Sequence, residues 1–268
     1  MKRLIRLVVM LILLLLWTAH TEPHAYTPPA AQPCDLSAIL EKDCWNADDY
    51  RLLAAQTGLF PPALDLLREQ DALDTIADVQ QAYLSPATVE CSTRMFVTRS
   101  ERLTVGGGLP AALEDGDILV TSCAHFFGFR NGHVGLVVDA EHGESLEAIV
   151  IGQNSRIQDV TRWSQFASFA VYRLRGADAE TRAAIAQTAK RRLTDIPYSL
   201  AVGLYPAGRM PGAVQATQCA HLVWEAFAAF GYDLDENGGR IVTPADLARS
   251  PFLELKQVYG LPFSWAEC

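Results

Sequence analysis

The sequence has few basic residues: 22 lysines and arginines stand against 31 aspartates and glutamates, so the formal net charge is −9 at pH 7. Without Lys2, Arg3 and Arg6 the chain loses three positive charges, which takes −9 to −12. Proteins that bind nucleic acid, or that dock on anionic lipid by charge, need a basic face. The composition therefore predicts that nucleic acid is not a partner.

No apolar run reaches the roughly 20 residues that a membrane-spanning helix needs. The run at residues 7–17 follows a basic start and precedes polar, proline-bearing sequence, an order typical of a secretory signal. The segments before Ala19 and Ala25 are imperfect cleavage sites, so an uncleaved anchor stays open. We predict a signal peptide or N-terminal anchor over residues 1–25 and a linker over residues 26–33. The folded part is expected to be secreted or at the outer face of the cytoplasmic membrane, touching the membrane only through an uncleaved N-terminal segment.

Cysteine is scarce, with six in 268 residues. No spacing of cysteine and histidine matches a structural zinc site, and we expect no metal and no cofactor. If Cys219 is a free nucleophile, at most two disulfides can form. Cys34 and Cys44 flank a short stretch with helical character, and they are the pair that we favour.

Half of the residues are apolar, which excludes a wholly disordered chain. Residues 35–83 have a helical pattern, and residues 34–108 are predicted to form a small helical N-terminal region, which ends at a run of three glycines, residues 106–108. Residues 109–268 are predicted to form a second region, with strands at 117–121, 134–138, 146–151 and 169–174 and helices at 179–193 and 219–230. Strands followed by helices indicate an α+β fold.

Two distant segments carry the residues that suggest chemistry. One is a predicted strand that opens on His133, and the other is an apolar helix that opens on Cys219. At a helix N-terminus, unpaired backbone N–H groups and the helix dipole favour a thiolate. An imidazole beside it can take the thiol proton, so the pair is typical of nucleophilic catalysis.

A hairpin is predicted to bring a carboxylate to the histidine. If Leu136 pairs with Leu146, then Gly135 lies opposite Glu147, and His133 shares their face of the sheet. Because Gly135 has no side chain, the imidazole can reach Glu147 diagonally. Gln153 and Asn154, further along, are alternative partners for the imidazole.

The sequence resembles a family at several ordered motifs. In chain order these are Asp115-Gly116-Asp117-Ile118-Leu119, His133-Val134-Gly135, Leu146-Glu147-Ala148, Pro197-Tyr198 and Cys219-Ala220-His221-Leu222-Val223-Trp224. They are similar to the circularly permuted papain-like cysteine hydrolases. That group includes YiiX-type bacterial proteins, the permuted branch of NlpC-type cell-wall peptidases and the lecithin–retinol acyltransferase family. The resemblance covers residues 114–259 and implies a permuted papain-like fold, with an antiparallel sheet packed against a cysteine-bearing helix.

The resemblance implies that Cys219 is the nucleophile, His133 the general base and Glu147 the residue that orients the imidazole. It also implies an oxyanion hole that uses the Cys219 backbone N–H. This chain departs from many relatives by having Ala220 where they have serine. Beside these motifs we expect a substrate-binding set, which consists of Tyr198, His125, Asn131 and Gln218.

Two further patterns leave alternatives open. Cys123 and His125 could form a second thiol–imidazole pair or, with His133, ligate a metal, although a loop that lines the cleft fits their spacing better. Residues 233–239 resemble the first half of a calcium-binding loop. Pro244 stands where a bidentate glutamate would be needed, so we interpret this segment as a polar connection.

The sequence thus predicts an exported cysteine hydrolase, a peptidase or amidase that cleaves an amide bond through an acyl-enzyme. The expected substrate is a peptide, with peptidoglycan-like peptides as candidates. A lipid thioesterase or acyltransferase with the same residues, and a non-catalytic binding module on the same fold, are the alternatives. An apolar rim at residues 126, 127 and 129 would favour lipid.

Overall fold

The computed structural model describes residues 2–21, 25–95, 98–126, 129–202 and 214–262. Its helices are α1 (Lys2–Thr21), α2 (Ser37–Leu40), α3 (Ala47–Thr57), α4 (Pro61–Glu69), α5 (Thr75–Leu84), a 3₁₀ helix (Val160–Gln165), α6 (Ala179–Arg192), α7 (Cys219–Ala228) and α8 (Pro244–Ala248). Its strands are β1 (Thr88–Met95), β2 (Thr98–Val105), β3 (Ile118–Thr121), β4 (Ala124–Phe126), β5 (Phe129–Arg130), β6 (His133–Asp139), β7 (Glu144–Glu147), β8 (Arg156–Asp159), β9 (Phe169–Leu174) and β10 (Leu253–Tyr259). Within these ranges, none of the helices is long and apolar enough to cross a membrane.

Two antiparallel sheets organise the molecule. The larger has six strands in the order β10-β9-β3-β6-β7-β8, and the smaller has four in the order β1-β2-β4-β5. Helices and antiparallel sheets together make an α+β fold, as the sequence predicts.

The core strands of the large sheet are almost wholly buried, because helices cover them. Every residue of β3 and β9 is buried, and all of β6 except Asp139. Both α6 and α7 pack against β6. The face of α7 that does so is apolar, including Leu222, Val223 and Phe227. This packing places the N-terminus of α7 beside the large sheet.

Buried charges tie three strands of the large sheet together. Asp117, which precedes β3, accepts from Arg173 of β9 at 3.0 Å and from Lys256 of β10 at 2.7 Å. Asp117 and Lys256 have no measurable exposure. Buried ions need partners of this kind, since removing one of them leaves an uncompensated charge.

The N-terminal helices join the large sheet at its β10 edge. Phe60 donates its backbone N–H to Lys256 at 2.8 Å, and Val258 donates to Gly58 at 2.8 Å. Leu59 forms a bridge with Gln257 between these two bonds. The segment that links α3 to α4 therefore covers the outer edge of the last strand.

The helical prediction for residues 34–108 is correct only as far as Leu84. From Thr88 to Val105 the chain forms the β1–β2 hairpin instead. These strands are rich in threonine, serine and arginine, and β2 buries only Glu101, so they lack the apolar alternation by which a strand is recognised. The predicted strand at 146–151 is also too long, since β7 ends at Glu147.

The predicted disulfide between Cys34 and Cys44 is not formed, because both are exposed free thiols. Hydrogen bonds hold the backbone of Cys34 against α3 and α5: its N–H donates to Gln56, and its carbonyl accepts from Gln80. Cys44 lies beyond α2, just ahead of the Asn46 cap of α3.

Candidate active site

The β6–β7 hairpin positions the histidine and its carboxylate. Leu136 pairs with Leu146, so the predicted register is confirmed. A Cβ on Gly135 would lie 3.1 Å from Cγ of Glu147 and 3.1 Å from the ring of Trp163, closer than ordinary contact. Glycine at this position therefore leaves the space that the Glu147 side chain occupies on its way to His133.

Glu147 is hydrogen-bonded from three directions. Its Oε2 lies 2.7 Å from Nε2 of His133, and its Oε1 accepts from Ser145 at 2.8 Å and from the Trp163 indole at 3.0 Å. The residue is only 5% exposed. A buried carboxylate with all these donors is fixed in place, and it fixes the orientation of the imidazole in turn.

Trp163 and Ser145 were not predicted from the sequence. Besides its bond to Glu147, Trp163 stacks on His133 with ring centroids 5.8 Å apart and an angle of 14° between planes. Ser145 is two residues before Glu147 on the same strand, so the alternation of side chains could have indicated it. Trp163 lies in the 3₁₀ helix, and no local pattern in the sequence relates it to β6.

Cys219 is the first residue of α7, and it lies beside the histidine. The Cys219 side chain lines the same cavity as the His133 ring and is close enough to help raise the pKa of the imidazole, and its Sγ donates to Oε1 of Gln218 at 3.4 Å. Gln218 caps the helix by accepting from the Ala220 N–H at 2.9 Å, and its amide donates to the Val242 carbonyl at 2.7 Å. First-turn N–H groups have no acceptor within the helix, so the Cys219 N–H can bind an oxyanion.

The electrostatics of the site favour a charged imidazole. Burial opposes the charge, but hydrogen bonds to Cys219 and Glu147 and the negative charge of both outweigh it and raise the pKa of His133 to about 10. Burial likewise opposes ionisation of Glu147, yet the bond to His133 and the charge of the imidazolium hold its pKa below the ordinary value. The arrangement can therefore keep an ion pair at neutral pH.

All four predicted substrate-binding residues line one cavity of about 490 Å³, together with Cys219, His133 and Glu147. These are Tyr198, His125, Asn131 and Gln218. Burial and the negative charge of Cys219 raise the pKa of Tyr198, so its phenol stays protonated and can donate. Gln218 differs from the rest, because its amide oxygen caps α7 and its amide nitrogen donates to the Val242 carbonyl.

His125 belongs to a separate charged cluster. Its Nε2 lies 3.2 Å from Glu101, which also accepts from Arg130 at 2.8 Å. Burial opposes ionisation of Glu101, but these bonds prevail and lower its pKa to about 2. The Cys123 thiol lies against Ser168 instead, whose backbone N–H donates to it at 3.1 Å.

Asn154, the calcium-like segment and the possible metal ligands all have other surroundings than the sequence alternatives require. Because β7 ends at Glu147, the chain turns before Asn154, whose amide donates to Asp195 at 2.7 Å. In the calcium-like segment, Asp233 accepts from the Trp224 indole at 2.7 Å. Across the described residues, no three histidine, cysteine or acidic side chains gather as metal ligands would.

Comparisons with known proteins give a similarity in structure but none in sequence. The sequence matches no family model and no curated protein. The crystal structure of the metalloprotein YiiX from Escherichia coli O157:H7 is similar to this structure, with a TM-score of 0.44 and 16% sequence identity over 56% of this chain and 98% of that one. A likeness at this level assigns neither an activity nor a ligand to this chain.

Proposed function

We propose that this chain is a cysteine hydrolase that cleaves an amide bond through an acyl-enzyme. The observation that supports this most strongly is the position of His133, which is hydrogen-bonded to Glu147 at 2.7 Å and shares one cavity with Cys219, whose side chain helps to raise the pKa of the imidazole. A nucleophile, a base and an orienting group gathered at one cavity are what covalent acyl transfer requires.

In the resting pair His133 holds the proton of the Cys219 thiol as an imidazolium, and in the first step the thiolate attacks the substrate carbonyl. The developing oxyanion is stabilised by the Cys219 backbone N–H at the start of α7. His133 then gives the proton to the leaving amine as the C–N bond breaks, which leaves a thioester on Cys219.

In the second step His133 takes a proton from water, and the resulting hydroxide attacks the thioester carbonyl. The C–S bond breaks, the free acid leaves, and the proton returns to the cysteine sulfur. Throughout, Glu147 stabilises the imidazolium and holds the ring in its working orientation. Tyr198 lines the same cavity as Cys219, and in this proposal its phenol donates a hydrogen bond to the bound acyl group.

Peptide amides, including those of cell-wall peptides, are the proposed substrates. A cavity of about 490 Å³ is in the range of small-ligand sites, so it accommodates a short peptide segment and not a folded domain. The proposal includes export, supported by the basic start and the apolar run of α1. Fractionation of cells that express the full chain, with and without residues 2–21, tests export: a chain found inside the cell in both cases would contradict it.

The test of the nucleophile uses Cys219→Ala and Cys219→Ser with Cys44→Ser as a matched control. Cys44 is an exposed free thiol outside the cavity, so its loss should leave hydrolysis unchanged. Peptidoglycan fragments and acyl lipids are incubated with each variant, and products are read by mass spectrometry. We expect both Cys219 variants to lose at least about 10³-fold in rate. Iodoacetamide adducts, mapped by peptide mass, should form fastest at Cys219, and undiminished hydrolysis by Cys219→Ala would refute the proposal.

A lipid ester or thioester is the second candidate substrate. The cavity has many apolar lining residues, and Phe129 at the end of β4–β5 is 63% exposed. Phe126 lines the cavity, whereas residue 127 lies outside the described residues. Release of fatty acid in the same incubation, with no cleavage of peptide, would favour lipid. Absence of turnover on every substrate, with Cys219 alkylated no faster than Cys44, would favour the non-catalytic module.

A further inference from the structure

One side of the cavity is strongly cationic. Four arginines line it: Arg99, Arg102, Arg130 and Arg162. Among the described lining residues Glu147 is the only carboxylate, and it is already bonded to His133. Because the whole chain has a net charge of −9, this excess of positive charge is a local property of the cavity.

The cationic side is close to the proposed base. The guanidinium of Arg102 lies 3.7 Å from the centre of the Phe166 ring, and that ring is 6.5 Å from the ring of His133. Arg102 also donates to the backbone carbonyl of Arg162 at 3.4 Å, which ties β2 to the 3₁₀ helix. The Phe166 ring thus lies between the Arg102 guanidinium and the imidazole of the proposed base.

Arg130 is held in place by a bidentate contact with Glu101, at 2.8 and 3.1 Å. Counting only the side chains that line the cavity, four arginines stand against Glu147, so the lining is net positive. All four arginines are half-buried. Charges that are partly removed from water are screened less by salt than exposed ones, so a ligand in the cavity experiences them strongly.

The remainder of the lining is mostly apolar and comes from other parts of the chain. Its aliphatic members are Ile149, Val150, Ile151, Leu200, Ile241 and Val242. These residues flank β7, Tyr198 and the approach to α8, whereas the arginines come from β2, β5 and the 3₁₀ helix. A ligand that satisfies both sets has an apolar part and a negative charge.

We propose that the substrate carries a carboxylate or phosphate that binds the arginine side, while its acyl part lies along the aliphatic side. This rests on the proposed function, since it specifies the acyl compound on which Cys219 acts. The planar guanidinium fork matches both anions, and such charge-assisted bonds are stronger than neutral ones. A carboxylate next to the scissile amide of a peptide and the phosphate of a lipid headgroup share this chemistry.

Binding is measured first, without turnover, on the full-length Cys219→Ala variant by calorimetry. The probes are N-decanoylglycine, its uncharged amide and decyl phosphate. We expect the carboxylate to bind about tenfold more tightly than the amide, which corresponds to about 1.4 kcal/mol. A preference for decyl phosphate over the carboxylate would identify the anion as phosphate, and the reverse would identify a carboxylate.

Arginine variants identify the group responsible. Arg162→Met and Arg102→Met, each combined with Cys219→Ala, should reduce the ratio of charged to uncharged affinity about threefold or more. Arg191→Met is the matched control, because Arg191 is exposed on α6 and does not line the cavity. Because Arg102 packs on Phe166, the fold of the Arg102→Met variant is checked by circular dichroism. If that variant is unfolded, the Arg162→Met variant still provides the test. Equal affinity for acid and amide, or no binding of either anion, would overturn the proposal.

Turnover separates this inference from the proposed function. Decanoylglycine p-nitroanilide and the same anilide of decanoylglutamate, which adds a carboxylate, are compared as substrates of the wild-type chain. A higher kcat/KM for the anionic anilide than for the neutral one supports both the anion site and the hydrolase. Hydrolysis of the two at equal rates overturns the anion site and leaves the hydrolase. Selective binding of the acid with no hydrolysis of either anilide supports the anion site and rejects the hydrolase.

Discussion

At the scale of single residues, Glu147 is a buried carboxylate that has to satisfy three hydrogen-bond partners at once. It is buried, it accepts from Ser145 and Trp163, and it contacts the imidazole. Trp163 makes two contacts at once, since it donates to the carboxylate and stacks on the ring that the carboxylate orients. The hydrogen bond to Glu147 therefore restrains the imidazole within the plane of its ring, and the stacked Trp163 restrains it perpendicular to that plane.

Glu147→Gln should keep the shape of the site and remove its charge. Without that charge the pKa of His133 falls, because Glu147 contributes to raising it through both a hydrogen bond and a Coulombic attraction. We expect kcat/KM to fall by about 10³-fold, as is typical when the residue that orients a catalytic histidine is replaced. NMR titration of the imidazole and a pH–rate profile provide the measurements.

Ser145→Ala serves as the comparison for Glu147→Gln, since it removes one bond to the carboxylate and leaves its charge. Its effect on kcat/KM should be much smaller, about tenfold or less. If Glu147→Gln changed thermal stability but neither the imidazole titration nor the rate, Glu147 would be a structural residue only.

At the scale of the element, the β6–β7 hairpin depends on Gly135. In Gly135→Ala the new methyl would come within 3.1 Å of Glu147 and of Trp163, so one or both of these side chains have to shift, which disturbs the contact between Glu147 and His133. We expect the unfolding free energy to fall by about 1–3 kcal/mol, the usual cost of overpacking. Loss of activity should accompany it, measured as kcat/KM.

A double-mutant cycle shows whether Gly135 acts through Glu147. Glu147→Ala removes the side chain that the methyl would strike, so Gly135→Ala should cost less activity in that background than in the wild type. An equal cost in both backgrounds would place the effect of Gly135 elsewhere, at Trp163 or the backbone.

The sequence predicts those elements whose apolar and polar residues alternate in a regular pattern within the segment itself. The register of the hairpin could be predicted because Leu136 and Leu146 must both face the core, and alternation then places His133 and Glu147 together. The start of α7 could be predicted because its buried face is apolar. By contrast, the polar β1–β2 hairpin has no apolar alternation, and the arginines that it brings to the cavity could not be assigned there.

Side-chain contacts between residues far apart in the sequence could not be predicted, because they depend on how whole elements pack. Trp163 reaches Glu147 only after β8 and the 3₁₀ helix fold back beside β7, and Phe166, just after that helix, contacts Arg102 of β2. No spacing in the sequence fixes such a contact. The pairing of Cys34 with Cys44 was wrong because nearness along the chain did not reveal the bonds that hold Cys34 at Gln56 and Gln80.

At the scale of the whole molecule, the site contributes to stability in a way that depends on pH. The pKa of His133 is raised to about 10 in the folded chain, against an ordinary value of 6.5. The folded state therefore binds this proton more tightly, and the resulting stability is fully present below pH 6.5 and is lost as pH rises through about 10. For Glu147, whose pKa is lowered, the contribution is present at neutral pH and is lost under acid conditions.

We expect the difference in unfolding free energy between the wild type and His133→Gln to decline as pH rises from 6.5 through about 10. Urea unfolding at a series of pH values, followed by circular dichroism, measures it. Arg191→Gln is the control, because Arg191 is exposed on α6 and lies outside the cavity that holds His133. A difference that grew with pH would mean that the imidazole is neutral in the folded protein.

The bridge between Leu59 and Gln257 has a consequence for the order of events during folding. Residues 58–60 pair with residues of β10 that are very distant from them in the sequence. Contacts so far apart in the chain form slowly, because closing a long loop costs entropy before the contact stabilises anything. We therefore expect the segment between α3 and α4 to dock on β10 late, after local elements such as the β6–β7 hairpin have formed.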